Sequence, residues 1–112
     1  MKAVLCKAWG PPESLVVEDL PSPRAGKGQV VISVKACGVN FPDSLIVQGK
    51  YQIRPEFPFS PGGEVSGLVK EGGVGVQDFR EGDAVIAFAG YGGYAEEICI
   101  DASRVVPMPA GV

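Results

Sequence analysis

The stretch Ala36-Cys37-Gly38-Val39-Asn40-Phe41-Pro42-Asp43-Ser44-Leu45-Ile46-Val47-Gln48-Gly49-Lys50-Tyr51 decides how the rest of the chain is read. It opens as the end of an apolar strand, turns polar at Asn40, continues as one short helix and stops at Gly49. Pro42 stands where a first helical turn tolerates proline. Asn40, two residues ahead, is placed to cap that turn. Leu45, Ile46 and Gln48 complete the helix before the glycine ends it. A second stretch, Phe59-Ser60-Pro61-Gly62-Gly63-Glu64-Val65-Ser66-Gly67, answers the first as a Pro-Gly turn feeding a new strand. Polar side chains that leave strand ends at a loop are where sites are usually built.

Working outward, Gln29–Cys37 is the clearest strand. Its period-two alternation puts Val30, Ile32, Val34 and Ala36 on one face and Val31, Ser33, Lys35 and Cys37 on a more polar one. Upstream, Lys2–Trp9 reads as an edge strand closed by Gly10-Pro11-Pro12, and Leu15–Leu20 as a second strand. Residues 21–28 are a loop by composition. Downstream, Pro55, Pro58 and Pro61 impose an irregular extended crossing. Glu64–Lys70 follows as a strand in which Gly67 marks a bulge or a close approach. Ala84–Phe88, Tyr94–Ile100 and Arg104–Val106 are further strands, separated by glycine-rich turns. Many short strands, 16 glycines, 10 prolines and one or two short helices predict a mainly-β barrel or sandwich, and 112 residues make one domain.

A net charge of -3 with no basic run argues against nucleic acid and against an anionic membrane surface. The N-terminus carries Lys7 inside its apolar segment and is no signal peptide, and no stretch has the length to span a bilayer. Cys6, Cys37 and Cys99 are odd in number and form no C-x-x-C pair, so they read as reduced thiols of a cytoplasmic protein. There is no histidine. That removes Ser-His-Asp and Cys-His catalysis within the chain and the commonest catalytic zinc ligand. Gly73-Val74-Gly75 and Gly90-Tyr91-Gly92 both lack the third glycine and the following helix of a dinucleotide fingerprint, and read as tight turns. Asn40, Asp43 and Glu64 form the polar constellation. From local pattern alone they read as a helix cap, a first-turn acid and a strand-edge acid. Tyr51 by itself reads as a packed aromatic with a wet hydroxyl.

Three blocks carry a family likeness: Cys37-Gly38-Val39-Asn40-Phe41-Pro42-Asp43, Pro61-Gly62-Gly63-Glu64-Val65-Ser66-Gly67, and Val74-Gly75-Val76-Gln77-Asp78-Phe79-Arg80-Glu81-Gly82-Asp83-Ala84-Val85. In order and spacing they resemble the N-terminal, GroES-like half of the medium-chain dehydrogenase/reductase superfamily. In the zinc alcohol dehydrogenases the first block holds a cysteine ligand and the second a Gly-His-Glu. Here Asn40 and Gly63 stand at those ligand positions, Glu64 keeps the glutamate, and the lobe for a structural zinc is absent. The chain therefore resembles the zinc-independent NADPH:quinone oxidoreductases, the zeta-crystallin-like group, and Tyr51 fits that branch. Leu45 replaces a tyrosine found in some of its members and makes that corner more apolar.

The resemblance implies a GroES-like, partly open β-barrel over residues 1–112 as the substrate-side domain. The Rossmann domain that would bind most of the NADPH is missing from this chain. It implies hydride transfer from NADPH to a small quinone or enone acceptor, with no zinc and no metal site. Asn40 and Tyr51 would be the catalytic groups, and Asn40 would also meet the nicotinamide side of the cofactor. Phe41, Asp43, Leu45 and Gly63 would shape the pocket. The parent would be a homodimer, and residues 1–112 alone would be inactive. Two other readings stand beside this one. The first is a domain of an enoyl or alkene reductase of the same superfamily. The second is a non-catalytic GroES-like interaction module resembling a co-chaperonin, against which the proline-rich segment 52–61 counts as ordered.

Overall fold

The computed structural model describes every residue from Met1 to Val112. Its elements are β1 (Lys2–Leu5), β2 (Val16–Asp19), β3 (Gln29–Cys37), α1 (Phe41–Ile46), β4 (Glu64–Gly72), β5 (Ala84–Phe88), β6 (Glu97–Asp101) and β7 (Val105–Pro107), with two single 3-10 turns. β1 and β2 form a two-stranded antiparallel sheet. The other five strands form one sheet in the order β6-β3-β4-β5-β7, antiparallel throughout. The chain is thus mainly β with one short helix, and the two sheets do not close into a barrel.

β3 is an interior strand, paired to β6 and β4, and its apolar residues are buried from both sides. Val30 and Ile32 enter the main core with Val65, Val69, Val85, Ile98 and Ile100. Each such buried side chain is worth roughly 1.5–3 kcal/mol. Val31 points the other way, to a face expected to be polar, yet is fully buried. The loop after β2 accounts for this. Glu71 accepts the Ala25 N–H at 2.8 Å and pairs with Arg24 at 2.9 Å, strapping the loop alongside Val31. The Arg24 guanidinium, and then the Ala25 N–H, hold the Glu71 carboxyl below the usual carboxylate range.

Two departures from strict alternation set up the site. Val34 pairs with Gly67 but Ala36 pairs with Ser66, so Lys35 is an extra residue on β3. A bulge of this kind reverses the faces beyond it. The expected assignment of Ala36 to the core face and Cys37 to the polar face is therefore inverted. Cys37 packs against the main core, while Ala36 is exposed. β1 is also shorter than expected. After four pairs with β2 the chain leaves the sheet, Cys6 bridges to Phe59, and Trp9 packs on Phe57 at 4.5 Å between ring centroids. Similarly, residues 94–96 fall outside β6, because they bond to other segments. Tyr94 N–H donates to Pro61 and Glu96 N–H to Lys2.

A second, smaller core of Cys6, Ile46, Val47 and Phe59, with Leu15 and Tyr51 against it, anchors α1 and the proline-rich crossing to the end of β1. Pro55, Phe59, Ser60 and Pro61 are buried, which pins the irregular crossing to the fold at those points. The helix ends at Ile46, short of the Gln48 expected, and a turn carries the chain to Gly49, whose φ of +70° suits glycine and whose missing Cβ would lie 2.9 Å from the Trp9 ring.

Gly67 marks the closest backbone approach, since a Cβ there would sit 2.0 Å from the Ser33 carbonyl oxygen. That oxygen belongs to the interior strand β3 and has nowhere to go. Gly67→Ala is expected to lower the denaturant midpoint by the equivalent of about 3 kcal/mol. Gly75→Ala, in open space at φ +87°, is expected to cost only about 1 kcal/mol, the price of its backbone conformation. Equal losses for the two variants would contradict the close-approach reading.

Candidate functional site

The site forms where α1 begins, at the end of β3, beside the start of β4. Asn40 is the N-cap residue in extended conformation, and Asp43 occupies the third helical position. The Asp43 Oδ2 accepts the Asn40 backbone N–H at 2.9 Å, half of a capping box that satisfies a donor the helix leaves free. The same oxygen accepts the Tyr94 hydroxyl at 2.9 Å. Asp43 is 93% buried by this packing, with a residual exposure of 7%. Burial, and then the hydrogen bond and charge of Asp43, push the Tyr94 phenol above its ordinary value. Cys37 lies in the same corner. Burial first, and then the charge of Asp43, push its thiol up.

Tyr94 reaches Asp43 because the turn at 89–94 is zipped onto residues 60–63. Ala89 and Gly90 N–H donate to the Gly63 carbonyl, Gly92 to Ser60, Gly93 to Gly62 and Tyr94 to Pro61, at 2.7–3.2 Å. The two glycine-rich segments thus form one backbone unit, with Tyr94 at its end. Gly63 sits at the middle of this seam, and a Cβ there would meet the Gly90 carbonyl oxygen at 3.3 Å.

The Asn40 side chain turns the other way. Its Nδ2 donates to Glu64 Oε1 at 3.1 Å. Glu64 is the first residue of β4 and is paired to Phe88 of β5, so it stands at the end of an interior strand and not at a sheet edge. Beside it runs an open groove of about 300 Å³ lined by Ala36, Gly38, Glu64, Ile86, Phe88 and Val112, among others. Ala36, Ser66 and Ile86 are lateral neighbours across three strands, and the groove exists because the Lys35 bulge turned Ala36 outward.

The structure therefore brings together Asn40, Asp43 and Glu64 of the expected constellation. Phe41 is exposed at the helix start, at 75% of its surface, and Leu45 is half-buried. Tyr51 packs on the smaller core, as a lone aromatic there was expected to, and its hydroxyl has no hydrogen-bond partner within the chain. Sequence reasoning missed Tyr94, read only as the start of a strand. Its partner is 51 residues away, and no local pattern signals that pairing. The groove residues Ile86 and Phe88 were also missed, because the continuous apolar run Ala84–Phe88 marks no face for solvent.

Tyr94→Phe removes one of the two donors to a buried carboxylate, and the expected cost is about 1–3 kcal/mol of stability at neutral pH. The sign with pH follows from the raised phenol. A group whose folded pKa lies above its unfolded value stabilises the fold below the unfolded value, here near 10, and that contribution fades as pH rises further. Above that pH, the native chain is expected to lose stability more steeply than Tyr94→Phe in denaturant titrations. Parallel losses would contradict the bond.

Comparison with known proteins agrees with this fold. The alcohol dehydrogenase GroES-like domain family matches residues 26–110. The quinone oxidoreductase-like protein 2 homolog of Nematostella vectensis is 45% identical over 100 residues, covering 88% of this chain and 27% of that protein. The quinone oxidoreductase of Thermus thermophilus, solved also in complex with NADPH, is 38% identical with a TM-score of 0.83, over 100% of this chain and 34% of that one. The human synaptic vesicle membrane protein VAT-1 homolog-like protein is 35% identical with a TM-score of 0.94, over 100% of this chain and 36% of its own. The chain spans about a third of the length of the relatives it matches. On this evidence the chain belongs to the alcohol dehydrogenase GroES-like domain family, and the relatives it resembles include proteins named quinone oxidoreductase.

Proposed function

We propose that this chain is the substrate-side domain of an NADPH-dependent reductase that delivers hydride to a quinone or enone without a catalytic zinc. The observation that carries the reading is the Asn40 amide, on a helix start that Asp43 locks in place and bonded to Glu64, which itself lines an apolar groove. A flat apolar wall beside an amide suits one face of a nicotinamide and a conjugated acceptor stacked on it. The chain has no glycine fingerprint before a helix, so the phosphates would be held by a further domain. Homologous structures solved with NADPH support this choice of cofactor.

Bound NADPH would supply the hydride. This chain's own residues would orient the acceptor and stabilise the charge that grows on its oxygen. Asn40 has a second Nδ2 hydrogen beyond the one given to Glu64, and Tyr51 has a free hydroxyl. Both are suitable donors to a developing oxyanion. Phe41 and Phe88, both largely exposed here, would exclude water once a partner surface covers the groove. Leu45 and Gly63 would shape the pocket, and Asp43 would hold its corner. An amide and a glycine are poor replacements for thiolate and imidazole, which supports the zinc-independent reading. The three free thiols fit a cytoplasmic setting, and a homodimeric parent remains part of the proposal.

In the full-length reductase, Asn40→Ala is expected to lower kcat by about tenfold or more, the scale of one lost oxyanion donor. Tyr51→Phe is expected to lower it less, and a chelator is expected to leave turnover unchanged. Unchanged turnover in Asn40→Ala would remove Asn40 from the site. For residues 1–112 alone, calorimetric titration with NADPH is expected to show no micromolar binding; a tight isotherm would show that a second domain is not needed.

A further inference from the structure

Asn40 is the only asparagine in the chain, and its backbone is fixed by Asp43. Its side chain still has a free torsion and an amide that can point two ways. The structure contains a device that removes both freedoms. Glu64 is anchored on one side by pairing with Phe88, and its own carbonyl accepts the Gly38 N–H at 3.1 Å. From that fixed point the Glu64 side chain crosses directly over Gly38 to reach the Asn40 Nδ2 at 3.1 Å. The path needs glycine. A Cβ on residue 38 would lie 2.3 Å from Glu64 Oε1 and 3.0 Å from Cγ and Cδ. Both ends of this bond are therefore held by separate backbone contacts, and the space between them is kept clear.

We infer that Glu64 is a positioning residue for Asn40, with Gly38 as the gap that lets it act. The carboxylate accepts one amide hydrogen in a charge-assisted bond, which fixes the amide nitrogen toward β4. One N–H and the Oδ1 are then presented in a single orientation. The catalytic half of this inference rests on the proposed role of Asn40; the structural half does not.

Selective labelling with 15N-asparagine gives one side-chain amide signal from this chain, so relaxation reads Asn40 directly. In the native protein its heteronuclear NOE is expected to be close to backbone values. In Glu64→Ala it is expected to fall to that of a mobile surface side chain. Gly38→Ala, which displaces a flexible carboxylate and no backbone, is expected to reproduce the fall, and serves alone if Glu64→Ala does not fold. Glu64→Gln keeps an acceptor at the same reach and is expected to restore most of the value. An amide equally mobile in native protein and Glu64→Ala, or a glutamine that restores nothing, would overturn the inference. In the full-length reductase, Glu64→Ala is expected to lower kcat about fivefold, the scale of one hydrogen bond, with little change in KM for NADPH. It is expected to add nothing in an Asn40→Ala background, whereas additive losses would contradict action through Asn40. If Asn40→Ala itself leaves turnover intact, the proposed role of Asn40 falls while the relaxation data still decide the part played by Glu64.

Discussion

One buried carboxylate ties the parts of this domain together. Asp43 lies where the helix start meets the turn at 89–94, and a single oxygen, Oδ2, accepts from both sides. A buried carboxylate is tolerated only when donors replace the water it has lost. Asn40 supplies a backbone N–H and Tyr94 a hydroxyl, so the cost of burying Asp43 is what fixes their relative positions. Remove the Tyr94 donor and α1 loses this tie to the turn at 89–94, leaving the small core of Cys6, Ile46, Val47 and Phe59 beneath it.

The groove beside Asn40 has its origin in backbone geometry. The extra residue Lys35 reverses the faces of β3, sending Cys37 inward and Ala36 outward. Gly67 lies opposite the same irregularity and lets β3 and β4 approach without a clash at Ser33. A bulge at the end of a central strand re-aims the side chains that follow. Here it yields an apolar wall leading to an amide and a carboxylate. The same wall is exposed in this chain, as are Phe41 and Phe88. That exposure fits a surface made to be covered, and the relatives are about three times longer.

Much of this was legible in the residues. Strand β3 and strand β5 carry dense apolar runs between turn signals, and their bounds were read correctly. The helix was legible from Asn40, Pro42 and Gly49 together, because capping and termination are local chemistry. The close approach at Gly67 was legible because glycine inside a strand has few other reasons to be there. What stayed hidden depends on contacts distant in sequence. Val31 is buried by a strap from Arg24, Ala25 and Glu71, which alternation within β3 cannot reveal. The reversal at Lys35 follows from pairing with β4, and Tyr94 gains its meaning only when the glycine seam lays it against Asp43. The roles of Asn40 and Tyr51 came from family likeness; their geometry supports a role for the first more directly than for the second.

We propose that these residues form one half of a nicotinamide-dependent reductase site. The most direct test is NADPH oxidation by the natural gene product, purified at its own length and mass, with a small benzoquinone and a small enone as acceptors. A product heavier than the 11.7 kDa of these residues by about one further domain is expected, with acceptor-dependent consumption of NADPH. A natural product of 11.7 kDa, or a longer one that consumes no NADPH with either acceptor, would contradict the proposal.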